Sequence, residues 1–334
     1  MRISHFTITL IISAILTGLA QQPLQLGWIA WFSLVPFIFI LNRIDSIKAY
    51  FKAGFIWGFV YYLTVIFWLA MNIGTTPLIG MISMLAAVLY CSLNIAGISL
   101  IMGFLKLYYS RRWFWLMPLV WTSVEYFRNM DVLTGGPWTS LANTQLDFHT
   151  LVQNAEISGI YGITFWIILL NVCIYNWIDR PYSKHLFSVV SIFILPWITG
   201  LYLTPNPQTD FKNKIDIALI QPNIHLSQKW KPGAIRQNIE SLLTLSKPEI
   251  EKSVDVVIWP ESATPAYILQ GNQYYLKWIQ SELGNTKLLS GIPYYTGEKQ
   301  SRQFFNSVVL VSSDSVSKIY NKLMLVPMAE HIPL

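Results

Sequence analysis

The chain has 334 residues, of which 53% are hydrophobic and only 12% are charged. An average soluble domain has roughly 25% charged residues, so this composition excludes a protein that is solvated by water along its whole length. The net charge of +6 does not indicate nucleic-acid binding, because many basic residues lie in short loops between apolar runs rather than in one cluster.

The distribution of charged residues divides the chain near Thr204. Residues 1–203 hold 16 of the 40 Asp, Glu, Lys and Arg residues, whereas the shorter stretch 204–334 holds 24. We therefore predict a transmembrane bundle over 1–204 and a second domain over 205–334.

Seven apolar runs are long enough to cross a hydrocarbon core of about 30 Å. The first is a retained helix rather than a signal peptide, because further apolar runs follow it at once. The fifth is short and carries Glu125 and Arg128 at its far end, so the parity of the topology depends on it. The runs are 5–20, 24–41, 51–70, 78–105, 113–127, 159–178 and 186–203. We predict about seven transmembrane helices.

The loops between these runs differ in their content of basic residues. Lys and Arg in short loops are retained on the cytoplasmic side of a membrane. With seven spans and a cytoplasmic N-terminus, the opposite loops contain only Arg128, against nine basic residues on the cytoplasmic side. These nine are Arg2, Arg43, Lys48, Lys52, Lys106, Arg111, Arg112, Arg180 and Lys184. The residues after about 204 are therefore predicted to be extracytoplasmic.

The sequence has no pattern typical of a metal or cofactor site. Its two cysteines, Cys91 and Cys173, lie inside apolar runs, where thiols usually pack as small hydrophobic groups. The five histidines are scattered, and there is no glycine-rich phosphate loop. We therefore predict no disulfide, no metal and no soluble cofactor.

A long outer loop near 128–158 carries candidates for substrate binding. Residues 135–138 (Gly-Gly-Pro-Trp) predict a tight turn beside an aromatic residue at the membrane interface. Trp138 either anchors the loop among lipid headgroups or contacts a substrate. Just before the loop, Glu125 and Arg128 have the i, i+3 spacing of a pair on one helix face. Charges there are costly, so we expect them to pair or to contact headgroups.

Beyond Thr204, short β-branched runs alternate with polar helical stretches. This alternation is typical of a layered α/β domain. An amphipathic helix is predicted over Pro232–Ser246. Strands are predicted over Ile215–Ile220, Val254–Trp259, Lys287–Ser290, Ser307–Val311 and Ser317–Tyr320.

Two strand ends in this domain carry candidate catalytic side chains. The buried strand Val254–Trp259 stops at Pro260 and presents Glu261 at its carboxyl end, where open α/β sheets usually place reactive groups. Taken alone, this pattern is also that of a glutamate that caps the next helix or faces water. Lys322, taken alone, is typical of an exposed hairpin residue.

The combination of motifs is more specific than either strand end. Trp-Pro-Glu-Ser (259–262) and Tyr-Asn-Lys-x-x-Leu-Val-Pro-x-x-Glu (320–330), with Ile-Ala-Leu-Ile-Gln-Pro-Asn-Ile (217–224) upstream, resemble the nitrilase superfamily. With the apolar helices, the Gly-x-Pro-Trp-like turn and residues 153–162, nearly the whole chain looks like the bacterial apolipoprotein N-acyltransferases.

This resemblance implies a fold and a reaction. The fold is a multi-pass helical membrane bundle followed, over 205–334, by the N-terminal half of an extracytoplasmic α-β-β-α, nitrilase-like sandwich. The reaction transfers an acyl chain from a phospholipid to the α-amino group of the lipidated N-terminal cysteine of an apolipoprotein. It proceeds through a thioester on the cysteine of a Glu-Lys-Cys triad.

The resemblance also implies roles for individual residues. Glu261 would be the general base, and Lys322 would stabilise the tetrahedral oxyanion and help keep Glu261 ionised in a partly dry site. Glu330 matches a second family glutamate that would support this arrangement. Trp230 matches an aromatic position on a mobile loop near the active site, where it either contacts lipid or packs as a partly exposed residue.

The sequence departs from the family pattern in one respect. The nucleophilic cysteine should follow Lys322 on another strand end, and the sequence stops at Leu334. Neither Cys91 nor Cys173 can substitute, because both are predicted within transmembrane runs. We therefore expect a fragment of a longer protein or an interrupted gene, in preference to a domain completed by a second polypeptide.

Two alternatives share these motifs. A membrane-anchored nitrilase-like amidase would release its acyl group to water, and a catalytically inactive truncated homologue would act at most as a binding protein. The expected partners are membrane phospholipid as acyl donor, a diacylglyceryl-modified apolipoprotein as acceptor, and the bilayer, with no nucleic acid. The expected form is a monomer in the bacterial cytoplasmic membrane with a cytoplasmic N-terminus.

Overall fold

The protein is described by a computed structural model over residues 5–72, 75–109, 112–130, 137–204, 214–271 and 273–325. The chain forms two compact units, Met1–Pro207 and Gln208–Ile332. The first is helical, and the second combines helices with a five-stranded sheet. The predicted fold class, a membrane-type helical part followed by an α/β part, is confirmed.

The described part of the N-terminal unit contains eight α-helices joined by short 3-10 and π segments. The α-helices are α1 (His5–Leu19), α2 (Val35–Asn42), α3 (Ile47–Ile66), α4 (Pro77–Phe104), α5 (Met117–Asn129), α6 (His149–Val152), α7 (Ala155–Asp179) and α8 (Ser183–Leu203). The 3-10 segments are Gly27–Trp31, Phe67–Met71, Trp113–Leu116, Pro137–Thr139 and Leu141–Gln145, and the π segment is Leu105–Tyr109.

Four helices in the described residues are long and apolar enough to cross a membrane. They are Ile47–Met71, Pro77–Tyr109, Ala155–Asp179 and Ser183–Leu203, counted with their 3-10 or π extensions. His5–Leu19 and Gly27–Asn42 are apolar but shorter. The fifth predicted run forms α5, which has 13 residues and buries both Glu125 and Arg128. The count of seven spans stays a prediction.

The close contact between α3 and α4 depends on small residues. A Cβ atom added to Gly54 would lie 2.3 Å from the Ser99 Oγ, and one added to Gly58 would lie 3.0 Å from the Ile95 Cβ. Lipid tails are as apolar as leucine, so helices in a bilayer associate through such close packing rather than through the hydrophobic effect. The start of α4 is set by Thr76, whose hydroxyl accepts a hydrogen bond from the Ile79 amide.

Hydrogen bonds bring together loops that the sequence assigns to one side of the membrane. The Lys106 Nζ donates to the carbonyl oxygens of Asn42 and Ile44, each at 2.7 Å. At another place, the Gln21 Nε2 donates to the Ser140 carbonyl at 3.2 Å. These contacts agree with the predicted grouping of loops, while the side that faces the cytoplasm stays a prediction.

The C-terminal unit is built on a mixed sheet of order β1-β2-β3-β4-β5. The first three strands are parallel, and the β3-β4 and β4-β5 pairs are antiparallel. The strands are β1 (Ile217–Leu219), β2 (Val256–Ile258), β3 (Lys287–Thr296), β4 (Gln303–Val311) and β5 (Val316–Asn321). The helices are α9 (Leu226–Lys229), α10 (Ala234–Glu251) and α11 (Tyr274–Leu283). Each predicted strand and the predicted helix overlap an observed element, and β3, β4 and β5 extend beyond their predicted bounds.

The two faces of this sheet differ in burial. On one face Ala218, Val257, Leu288 and Val309 are buried and pack with apolar residues of α10 and α11. The opposite face exposes apolar residues, including Ile217, Leu219, Val308 and Tyr320. The alternation of faces along each strand explains this division, because successive side chains point in opposite directions.

Candidate active site

Glu261 follows the carboxyl end of β2, and the residues before it are held firmly. The Trp259 amide donates to the Leu289 carbonyl at 2.9 Å, which extends the pairing with β3 by one residue. The Trp259 indole is buried, and its Nε1 donates to the Ser246 hydroxyl of α10 at 2.9 Å. Pro260 has no N–H, so it ends the pairing and turns the chain. The strand end therefore presents Glu261 from a fixed position.

A glycine on the neighbouring strand allows the turn at Glu261 to lie against the sheet. A Cβ atom on Gly291 would come within 2.7 Å of the Glu261 Cα and 2.8 Å of the Pro260 carbonyl oxygen. The Ala263 amide donates to the Gly291 carbonyl at 3.0 Å. Ser262 has a φ of 51°, a left-handed conformation that is costly for a residue other than glycine. Such strain is concentrated at functional sites.

The end of β5 brings Lys322 to Glu261. The Lys322 Nζ lies 3.1 Å from the Glu261 Oε1, and the two form an ion pair. The Lys322 side chain is 31% exposed and that of Glu261 is 62% exposed. Two residues that are 61 positions apart in the chain are thus joined by the sheet. The exposure of Glu261 differs from the partly dry site that the family resemblance implies.

Asn306 of β4 contacts both members of this pair. Its side-chain amide donates a hydrogen bond to the Glu261 Oε1. Its backbone carbonyl accepts a hydrogen bond from the Lys322 amide at 2.8 Å. Asn306 was not predicted as a site residue from the sequence. It lies one residue before the predicted strand Ser307–Val311. Only the pairing of β4 with β5 reveals its place.

Lys229 is a second cation beside Glu261. Its Nζ donates to the Glu261 backbone carbonyl at 3.3 Å, and its own carbonyl accepts from the Asn238 amide of α10 at 2.9 Å. Burial lowers the pKa of Lys229, and the negative charge of Glu261 opposes part of that shift. The sequence analysis selected the neighbouring Trp230, which is 55% exposed. Lys229 directly precedes Trp230 in the Gln-Lys-Trp motif (228–230), and this adjacency was the sequence signal for it.

The chemistry of this site follows from one carboxylate and two nearby ammonium groups. A carboxylate at a strand end can accept a proton from a thiol or an amine. An ammonium group beside it can stabilise an oxyanion that develops during attack on a carbonyl. Glu330 lies outside the described residues. Among the described residues, no group of three or more His, Cys, Asp or Glu is placed to hold a metal ion.

In the N-terminal unit, Glu125 connects three segments of the chain. Its Oε1 accepts from the Trp121 Nε1 at 3.3 Å and from the Leu141 amide at 3.1 Å, and its Oε2 accepts from the Thr164 hydroxyl at 2.9 Å. The expected direct pair with Arg128 is not formed. The carboxylate instead contacts α7 and the 3-10 segment that begins at Leu141.

Arg128 points to a different neighbour. Its NH1 donates to the Tyr62 hydroxyl of α3 at 2.8 Å and its NH2 to the Asn129 Oδ1 at 3.3 Å. Its Nε is buried without a hydrogen-bond partner in the described structure. Arg128 and Glu125 line one small cavity, with room for about one water molecule. They therefore line the same small cavity, although they do not form an ion pair.

The remaining candidates of the N-terminal unit have contrasting environments. Trp138 is 64% exposed, and its carbonyl accepts from the Asn143 amide side chain at 3.0 Å. Residues 135–136 lie outside the described part of the chain. Cys91 of α4 and Cys173 of α7 are both buried.

The helical part of the chain is similar to a known family. A family model described as "Apolipoprotein N-acyltransferase N-terminal domain" matches residues 13–173. This range covers most of the helical unit.

Curated relatives extend the similarity beyond that range. The apolipoprotein N-acyltransferase of Geobacter metallireducens is 29% identical over 357 residues, covering 97% of this chain and 64% of the relative. That of Chlorobaculum tepidum is 23% identical over 97% of this chain and 64% of the relative. That of Haemophilus ducreyi is 29% identical over 94% of this chain and 63% of the relative. The chain thus spans somewhat less than two thirds of the length of these relatives.

Proposed function

We propose that this chain, which is similar to apolipoprotein N-acyltransferases over nearly its whole length, carries out phospholipid-dependent N-acylation of apolipoproteins. The acceptor is the α-amino group of a diacylglyceryl-modified N-terminal cysteine. The observation that carries the proposal is the contact at 3.1 Å between Glu261, after β2, and Lys322, after β5, in an α/β unit. A helical unit with membrane-length apolar helices precedes that unit in the same chain.

The first half of the proposed reaction forms a thioester. Glu261 takes the proton of a cysteine thiol, and the thiolate attacks the ester carbonyl of a phospholipid. Lys322 stabilises the tetrahedral oxyanion. The carbon–oxygen ester bond then breaks, and the lysophospholipid leaves with the proton that Glu261 held. The proposal assigns the thiol to neither Cys91 nor Cys173, because both are buried among helices of the N-terminal unit.

The second half transfers the acyl chain. The acceptor amine attacks the thioester carbonyl, Glu261 accepts a proton from the nitrogen, and Lys322 again stabilises the oxyanion. The carbon–sulfur bond breaks, and the thiolate regains a proton from Glu261. The base and the oxyanion stabiliser thus serve both halves, as covalent catalysis through one intermediate requires.

The other candidate residues receive subsidiary roles in the proposal. Exposed Trp138 and Trp230 are suited to contact lipid, since each offers an apolar ring with a polar N–H. Glu125 and Arg128 shape the small cavity that Thr139 and Leu141 also line. Glu330 is assigned the supporting role that the family resemblance implies. The protein is proposed to act as a monomer in the bacterial cytoplasmic membrane, with its N-terminus cytoplasmic and the residues after about 204 outside.

The test measures acyl transfer by the protein extracted from membranes as cells make it. The protein is incubated with phospholipid vesicles that carry a labelled acyl chain and with a peptide that begins with diacylglyceryl cysteine. We expect label on the peptide amine and a hydroxylamine-sensitive acyl adduct on the protein. Label released as free fatty acid would indicate the amidase-like alternative. Absence of both adduct and product would favour a binding protein without chemistry.

A further inference from the structure

The Asn306 side chain holds a distinctive position between the two candidate catalytic residues. It extends from β4, where Asn306 is paired with Pro293 of β3. Its amide group donates to the Glu261 Oε1, the same oxygen that accepts from the Lys322 Nζ at 3.1 Å. The carboxylate therefore has one neutral donor and one cationic donor on a single oxygen.

Packing alone does not orient the Glu261 carboxylate. The side chain is 62% exposed, so few neighbouring atoms restrict its rotation. Lys322 approaches on a long, flexible stem and can follow a moving carboxylate. Asn306 has only two side-chain torsions, and its backbone is paired with Pro293 of β3 and accepts a hydrogen bond from the Lys322 amide. It is the more rigid of the two donors.

From this geometry we infer that Asn306 is a positioning residue that fixes the Glu261 carboxylate for proton transfer. The inference rests on the proposed function, in which Glu261 is the base. The neutral amide leaves the charge of the pair unchanged, so it orients the carboxylate without replacing Lys322. A carboxylate at position 306 would lose this donor and would place a second negative charge beside the first.

The contacts of Asn306 allow its side chain to be tested separately from its backbone. The hydrogen bond from the Lys322 amide ends on the Asn306 carbonyl oxygen, which every substitution retains. Asn306→Ala therefore removes the side-chain contact with Glu261 and keeps the backbone contact with Lys322. A matched control is Gln280→Ala, which removes an amide hydrogen bond to the Ser312 carbonyl at 3.0 Å, on another part of the same unit.

The kinetic experiment compares Asn306→Ala, Asn306→Asp and Gln280→Ala in the acyl-transfer assay. Loss of a hydrogen bond to a charged group predicts that kcat of Asn306→Ala falls about 10- to 100-fold, with little change in KM for the acceptor peptide. Gln280→Ala should keep the kcat of the unmodified protein. A fall in kcat with an unchanged melting temperature excludes a merely structural role.

The pH profile adds a second readout. Charged groups face Glu261 from two sides, Lys322 at the end of β5 and Lys229 at the end of α9. In Asn306→Asp, a second carboxylate joins them, and two facing carboxylates resist ionising together. The acid limb of the kcat profile should therefore move to higher pH in Asn306→Asp and not in Gln280→Ala. Unchanged kcat and pH profiles in both Asn306 variants would overturn the inference.

A spectroscopic measurement separates failure of this inference from failure of the proposed function. The infrared difference between the unmodified protein and Glu261→Gln identifies the carboxylate band of Glu261. Loss of the amide donor should shift that band in Asn306→Ala. If the unmodified protein transfers no acyl chain but the band is shifted in Asn306→Ala, the proposed function is refuted. The hydrogen bond from Asn306 to Glu261 is then still supported. An unshifted band would refute the positioning role whatever the activity.

Discussion

Each of the two units contains a hydrogen-bonded glutamate, and the two carboxylates differ in exposure and in their hydrogen-bond donors. Glu125 is 4% exposed and accepts hydrogen bonds from an indole, a backbone amide and a hydroxyl, all of them neutral. Glu261 is 62% exposed and is held by an ammonium group and one amide. The donors of Glu125 come from separate segments, whereas those of Glu261 come from neighbouring strands.

This difference indicates which carboxylate is structural and which is suited to react. A buried acceptor that ties several segments together stabilises their arrangement, and its removal leaves buried donors without partners. An exposed carboxylate at a strand end can be reached by a substrate, and its removal leaves little unsatisfied.

Glu261→Gln should have the largest effect, and the effect should be on activity alone. The amide keeps the size of the carboxylate but cannot accept a proton, and general base catalysis typically contributes about 10²- to 10⁴-fold. The rate of acyl-adduct formation should fall by that factor. The melting temperature should stay unchanged, because the side chain is exposed. Normal adduct formation by Glu261→Gln would show that another group is the base.

Lys322→Ala should lower the same rate by about 10²- to 10³-fold, the usual effect of removing one stabiliser of an oxyanion. The matched control is Lys299→Ala, which removes an exposed lysine from the turn between β3 and β4. Both variants should retain their far-ultraviolet circular dichroism. Equal rates for the two variants would remove Lys322 from the mechanism.

Glu125→Ala should act on stability instead. It leaves the Leu141 amide and the Thr164 hydroxyl without their buried acceptor, at a cost of about 1–3 kcal/mol for each donor. The melting temperature in detergent should drop clearly, with Glu125→Gln intermediate because it keeps one acceptor oxygen. Glu156→Ala, at an exposed position of α7, is the control. A melting temperature for Glu125→Ala equal to that of this control would contradict a structural role.

The smallest effect is expected at Lys229, and it depends on pH. Its folded-state pKa is below its ordinary value near 10.5, so the unfolded chain keeps the proton to higher pH than the folded chain. The free energy of unfolding should therefore rise with pH in the interval below 10.5, and Lys229→Met should reduce that slope. Thermal melts between neutral and alkaline pH measure it, with the exposed Lys231→Met as control. Equal slopes in the two variants would show that burial of Lys229 is too slight to matter.

The pattern of hydrophobic residues was enough to anticipate most elements of both units. Each apolar run of the N-terminal part contains helical structure, and each predicted strand overlaps an observed one. The strand β3 was predicted too short, because Gly291 and Pro293 interrupt the run of strand-forming residues. Its length depends on pairing with β4, which runs from Leu288 to Thr296. The helix α11 was not predicted at all.

The sequence was enough to predict a membrane-type helical part followed by an α/β part, and to select Glu261 and Lys322 as strand-end candidates, because periodicity and strand ends are local properties of the chain. Which distant groups meet at these strand ends depends on the tertiary structure. Asn306 reaches Glu261 through strand pairing, which leaves no local pattern, and Lys229 reaches it through the packing of α9. Likewise, the i, i+3 spacing of Glu125 and Arg128 permitted an ion pair. Instead, Arg128 donates to Tyr62 of α3, and Glu125 accepts from donors on α7 and on the 3-10 segment at Leu141.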